Sequence, residues 1–128
     1  MVFDRDGVTV TALGIPHGNI PTLAYRVQTR DTSIVFSSDQ TGTNPNFIEF
    51  AKGANVLIMH VAIPVADNRG VHASPEVVGH IAQEAGVGRL VVSHFGPFPL
   101  DPAIAELKKF YTGPLIIGAD MQCTPVQQ

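Results

Sequence analysis

The sequence predicts an α/β fold, a layer of parallel strands fronted by an antiparallel hairpin. Three observations carry that prediction. Short runs rich in Val, Ile and Leu recur along the 128 residues. From Ser33 onward they alternate with stretches of helical period, the pattern of a parallel layer with crossover helices. Before Ser33, two strand-like runs are separated only by a loop, which suits antiparallel neighbours. The length is enough for one domain with a real core. No linker, internal repeat or low-complexity stretch interrupts it, so residues 1–128 read as a single domain.

The first strand is Gly7 to Leu13, GVTVTAL, with alternating branched and small residues. GIPHGNIP follows; two Gly and two Pro in eight residues make it a loop. Thr22 to Gln28 is a second strand, closed by a polar turn from Thr29 to Thr32. Ser33 to Ser37 is a third, apolar enough to be buried on both faces. A polar loop runs from Asp39 through Asn44. Pro45 to Lys52 reads as a helix, with Asn44 as its cap, Pro45 at its first position and Gly53 at its end. Asn55 to Val61 is the fourth strand, and Ile63 to Val71 a long loop.

Ser74-Pro75-Glu76 opens the best-marked helix. Ser caps it, Pro fits the first position, and Glu faces the positive helix end. Val77, Val78, Ile81, Ala82 and Ala85 form its apolar face, and Gly86 stops it. Arg89 to Ser93 is the fifth strand. A helix from Asp101-Pro102 to Tyr111 turns Ile104, Leu107 and Phe110 or Tyr111 inward. Leu115 to Gly118 is the sixth strand, and the tail from Asp120 is open to a further short one.

Composition narrows the function classes. Hydrophobic residues make up 45 % and charged residues 15 %, a sticky balance that points to apolar surface covered by something else. The net charge is −3, and the eight Lys and Arg are scattered, so nucleic-acid binding is not supported. Lys108-Lys109 reads as part of a solvated helix face. Cys123 is alone, which excludes an internal disulfide and suits a reducing compartment. The start, MVFDRDGVTV, lacks the features of a signal peptide, and no run reaches the length of a membrane span. A cytoplasmic protein is expected.

His17, Asp39 and His94 each lie at or just past the end of a predicted strand, where α/β sheets present ligands. Two imidazoles and a carboxylate suit a zinc-like ion. Each residue also has a plainer reading. His17 is a loop residue that water alone can satisfy. Asp39 can simply turn the chain after its strand. His94 can be a strand-end histidine bonded to backbone, and His72 can merely flank a helix. His60 reads as a satisfied core histidine, and His80 as a surface or structural one.

The ordered motifs nevertheless resemble a known family. VTVTALGIPHGNIPTLAYRV is similar to the strand–loop–strand that begins the second half of the metallo-β-lactamase fold, in the branch of tRNase Z and the arylsulfatase-like hydrolases. SIVFSSDQTG resembles that branch's FSGDT-type motif, and NVLIMHVA its vLihEa strand. VHASPEVVGHIAQEAGVGRLVVSHFGP resembles the HST loop, the next helix and the strand ending in a metal-binding histidine. PLIIGADMQCTPV resembles the closing strands.

The resemblance implies roles. His17 would be the third imidazole of a first metal, Asp39 the carboxylate bridging two metals, and His94 the terminal imidazole of the second. A shared anion offsets the repulsion between two close dications. His72 matches the histidine that protonates the leaving group, a task suited to a near-neutral pKa. Zinc, or manganese or iron, up to two ions in a full-length parent, is the implied cofactor.

There are departures. No two of the five histidines are separated by one residue, so the defining HxHxDH motif is absent. Ser38 replaces the usual Gly, Gln40 the usual Thr, and HASPE the HST loop; Val61 stands where the family favours Glu. The chain thus resembles the carboxyl-terminal half of a metallo-β-lactamase αββα sandwich, a mixed sheet with helices on one face.

A half-sandwich would leave one sheet face bare. Several hundred Å² of exposed apolar surface costs roughly 10 kcal/mol at about 25 cal/mol per Å², against a net stability of about 5–15 kcal/mol. A homodimer packed through the uncovered face is the expected solution. The resemblance implies a metal-dependent hydrolase of an ester or phosphodiester, incomplete without the HxHxDH half. The alternative is a non-catalytic half-domain that oligomerises or binds a partner. A nucleotide-binding α/β domain fits less well, because no Gly-rich phosphate loop follows a strand.

Overall fold

A computed structural model of the chain describes residues 1–65 and 70–126. Seven strands and three helices alternate in the order β1 (Phe3–Arg5), β2 (Val8–Ile15), β3 (Thr22–Gln28), β4 (Ser33–Phe36), α1 (Phe47–Ala51), β5 (Val56–Val61), α2 (Pro75–Ala85), β6 (Leu90–Phe95), α3 (Leu100–Phe110) and β7 (Leu115–Ile117). They form one sheet in sequential order. β1 to β4 are antiparallel, and β4 to β7 are parallel. The expected α/β class, with a mixed sheet and helices on one face, is what the chain adopts.

Strand alternation divides the sheet into two faces. Val35, Leu57, Met59, Leu90 and Val92 point to one side and pack with Phe47, Val78, Ile81, Ala82, Ala103 and Leu107 of the helices. The other side carries Tyr25, Ile34, Phe36, Ile58 and Val91 in register across β3 to β6. No helix covers it. Phe36 is 41 % exposed there and Tyr25 is also exposed, so β4 is buried on one face only, which corrects the burial on both faces expected from its composition. The carboxyl-terminal tail crosses part of this second face, and Arg89 holds it by donating to the Pro125 carbonyl at 2.7 Å. Between tail and sheet lies a groove of about 630 Å³ lined by Ile34, Val56, Ile58 and Val91.

The helix signals act as their chemistry predicts. The Ser74 hydroxyl accepts from the Val77 amide at 3.3 Å, Pro75 sits in the first turn, and Gly86 closes α2 in the left-handed conformation. α1 begins two residues later than Pro45, because Asn44 spends its side chain on a turn, accepting from the Asn46 amide at 2.9 Å. That short helix is held at its far end by Arg26 of β3. One guanidinium nitrogen donates to the carbonyls of Phe50 (3.0 Å) and Lys52 (3.1 Å), which a helix terminus would otherwise leave unpaired.

β1 is a strand that the composition of MVFDR does not mark. It pairs with β2 through a tight turn in which Asp6 and Gly7 both take positive φ, 53° and 79°. The Asp-Gly pair was its signal. The tail from Asp120 adds no strand; it turns at Met121, also with positive φ, and runs irregularly with Cys123 exposed. The loop expected over residues 63–71 lies partly outside the described residues. No described helix is long and apolar enough to cross a membrane.

α2 and α3 cross at Gly79. A Cβ there would lie 2.7 Å from the Leu107 carbonyl oxygen and 3.0 Å from the Phe110 Cβ, both fixed parts of α3. Gly79→Ala should therefore lower stability by about 1–3 kcal/mol, although alanine favours an isolated helix by about 1 kcal/mol. Urea unfolding measures the change, and a stabilised variant would refute the close crossing.

Candidate metal centre

The parallel ladder sets the site. Phe36, Ile58 and Val91 are in register, and His60 pairs with Ser93. The residues just beyond β4 and near the ends of β5 and β6 therefore emerge side by side. Two backbone turns then aim the side chains. Simple alternation would send Asp39 and His94 toward the helices, with Val35 and Val92 respectively. Ser38 and His94 each adopt φ 50° instead, a conformation non-glycine residues adopt at a cost of about 1 kcal/mol. The ladder shifts between His60 and Val61, so His94 is the extra residue of a bulge. Both turns swing their ligand-type side chains to the sheet edge.

Three loops meet there through backbone bonds. Thr41 N–H donates to the Pro16 carbonyl at 2.9 Å, and Ala73 N–H to the Gln40 carbonyl at 2.6 Å. His17 Nδ1 donates to the Val71 carbonyl at 3.0 Å, which leaves Nε2 with a free lone pair. Gly18, with φ 58°, allows the close approach, since a Cβ there would meet Val71 at 2.9 Å.

His17, Asp39 and His72 each bring one donor atom within 4.8 Å of the others. His94 joins through Asp39, its Nε2 lying 3.4 Å from Oδ2. The expected metal set was His17, Asp39 and His94. The structure brings all three and His72 together, but the tightest trio holds His72 in place of His94. His94 stands on the exposed bulge, against the shared carboxylate. His72 packs between the other rings, 5.0 Å from His17, 5.2 Å from His60 and 5.8 Å from His94 between centroids. Nitrogen and oxygen donors converging on one point suit a zinc-like ion. His72 Nδ1 is buried with no hydrogen-bond partner among the described residues, which therefore leave this ring partly unsatisfied. The residues present fit part of a metal shell.

His60 is the satisfied core histidine its strand suggests. It is 2 % exposed; Nδ1 bonds the Ser38 carbonyl at 3.2 Å and Nε2 accepts from Ala73 N–H at 3.1 Å. Burial, reinforced by His72, lowers its pKa to about 4 despite the Asp39 carboxylate. Burial also lowers the pKa of His72, with Asp39 pulling the other way. His80 lies apart, half-exposed against Phe110 and 4.0 Å from Glu76.

The shift at His60 has a sign. The unfolded chain takes up a proton near pH 6.5, whereas the folded chain resists until about pH 4. Its stabilising contribution is complete above pH 6.5 and falls away between there and pH 4, by roughly 3 kcal/mol in all. Unfolding of chelator-treated protein across that range should show the loss, and His60→Gln should lack most of it.

Comparison with known proteins agrees with this architecture. The family model of the beta-lactamase superfamily domain matches residues 2–95. A ribonuclease Z of Mycolicibacterium paratuberculosis is 34 % identical over 107 residues, covering 75 % of this chain and 38 % of that protein. One from Mycobacterium sp. (strain KMS) is 35 % identical over 114 residues, covering 80 % and 39 %. The chain thus spans about two fifths of the length of these relatives. The metallo-beta-lactamase fold protein YhfI from Bacillus subtilis superposes with a TM-score of 0.82 at 25 % identity, over 91 % of this chain and 48 % of its own. The short form of human tRNase Z shares the fold at 18 % identity, with a TM-score of 0.79, over 99 % and 45 %. The chain belongs to the beta-lactamase superfamily, in its metallo-β-lactamase fold.

Proposed function

We propose that this chain forms part of the site of a metal-dependent hydrolase, with an ester or phosphodiester as substrate. The observation that carries the reading is the convergence of His17, Asp39 and His72, with His94 on the same carboxylate. The relatives named ribonuclease Z favour the phosphodiester. RNA as such draws no support from the scattered Lys and Arg. His17, Asp39 and His94 would hold the metal, zinc or else manganese or iron. When bound, such an ion supplies a water of lowered pKa. His17 is oriented for this by Val71, which fixes its proton on Nδ1. Asp39 lies between the histidine on the second loop and the one on the bulge, and so can serve both sides. His72 would give a proton to a leaving group; in support, its ring centroid lies 5.0 Å from that of His17, 5.2 Å from His60 and 5.8 Å from His94. Purified chain should bind about one zinc or more, reversibly to chelator. Asp39→Asn and His94→Ala should each weaken binding at least about tenfold, and any phosphodiesterase activity should vanish with His94→Ala. No uptake under saturating zinc would overturn this reading and favour a non-catalytic module.

The open sheet face supports a second proposal, a homodimer packed face to face. Leu23, Tyr25, Phe36 and Phe95 are exposed large apolar residues on or beside this face, which ends at the metal cluster. A second copy would cover them and complete the surroundings of a site that supplies only part of a shell. Sedimentation at micromolar concentration should give a dimer, and Phe36→Asp should dissociate it. A stably folded wild-type monomer would refute it.

A further inference from the structure

His60 stands outside the proposed ligand set, yet it touches the loop that carries Asp39 and the loop that carries His72. The Ser38 carbonyl can only accept, so Nδ1 must hold the ring proton. The Ala73 amide can only donate, so Nε2 must be bare. Two independent partners thus impose the same neutral tautomer. Ser38 directly precedes Asp39, and Ala73 directly follows His72. Ser38 is the residue in the left-handed turn that aims Asp39, and its hydroxyl is also bound, donating to the Leu23 carbonyl at 2.8 Å. Ala73 N–H is shared between His60 and the Gln40 carbonyl. The rigid ring therefore spans the gap between the two loops with a donor at one edge and an acceptor at the other. Neither nitrogen keeps a lone pair for a metal.

We infer that His60 is a positioning residue, a tautomer-locked tie that sets the separation of Asp39 from His72 without itself binding metal. The inference rests on the proposed roles of Asp39 and His72 for its functional meaning, but not for the tie itself. An aliphatic residue of similar size could fill the same space and would supply neither bond, leaving the Ser38 carbonyl with only the Ser37 hydroxyl, at 2.8 Å, and the two loops without their bridge. Glutamine keeps one donor and one acceptor on a more flexible stem.

The test uses the chain labelled with ¹⁵N-histidine, with the His60 signals assigned through His60→Gln, and zinc as the probe. The two-bond ¹H–¹⁵N spectrum should show His60 with a protonated Nδ1 and a bare Nε2, unchanged on zinc addition, while signals of His17, His72 or His94 move. A proton on Nε2, or a zinc-induced shift of a His60 nitrogen, overturns the inference and leaves the metal centre standing. If no histidine moves but the His60 pattern holds, the tie stands and the metal centre fails. In zinc titrations, His60→Leu should bind about tenfold more weakly than wild type, and His60→Gln should recover most of the loss. Equal weakening in the two variants would reduce His60 to a space-filling role and overturn the positioning claim.

Discussion

The arrangement depends on the register of three parallel strands. β4, β5 and β6 run in one direction, so their carboxyl ends form one edge, and the ladder puts residues distant in sequence at the same height. Asp39, His60 and His94 owe their proximity to that ladder together with the left-handed turns at Ser38 and His94. A slip of one residue would carry every core side chain of the strand to the wrong face. The apolar helix-side residues Val35, Leu57, Met59, Leu90 and Val92 are almost fully buried, so such a slip would expose several large side chains together. Core packing is thus what fixes the site, and it reaches the site through Met59 and Ala73.

The same packing is one-sided, and this links fold to assembly. α1, α2 and α3 all lie against one face, while the other keeps the apolar character of an interior surface. The tail covers only the strip over Ile34, Val56, Ile58 and Val91, and incompletely, since a groove remains beneath it. The groove reaches His94 and Phe95, so whatever lies against this face also lies against the donor cluster. Stability and chemistry therefore share a boundary in this chain. Relatives more than twice as long have further sequence with which to build there.

Much of this was legible before any coordinates. The ends of α2 were written in Ser74, Pro75 and Gly86, and the order of apolar runs was enough for the mixed layer. The candidate donors were legible too, because strand ends are where such residues gather. What could not be read has physical causes. The left-handed turns at Ser38 and His94 use residues that do not advertise positive φ, as glycine would have done. The exposure of Phe36 follows from what fails to cover β4, which strand composition cannot express. The place of His72 in the tightest trio comes from a loop that folds back on Gln40 and His60 through its own backbone. The small strand β1 was signalled by Asp6-Gly7 but is too short to show a period.

The chemistry of the edge argues for a cation there. Asp39 brings a carboxylate, and His17 has a ring proton committed to Val71, which leaves its second nitrogen outside that bond. Burial opposes placing a positive charge on His72 or His60, so the rings least exposed to water are those least able to neutralise Asp39 by protonation. Among the described residues, it is the exposed His94 that stands against the carboxylate, its Nε2 3.4 Å from Oδ2. A divalent ion satisfies several lone pairs and the carboxylate at once. In the proposed metal centre, the ties at Val71, Gln40 and His60 would hold the donors together beforehand and so lower the ordering cost of binding an ion.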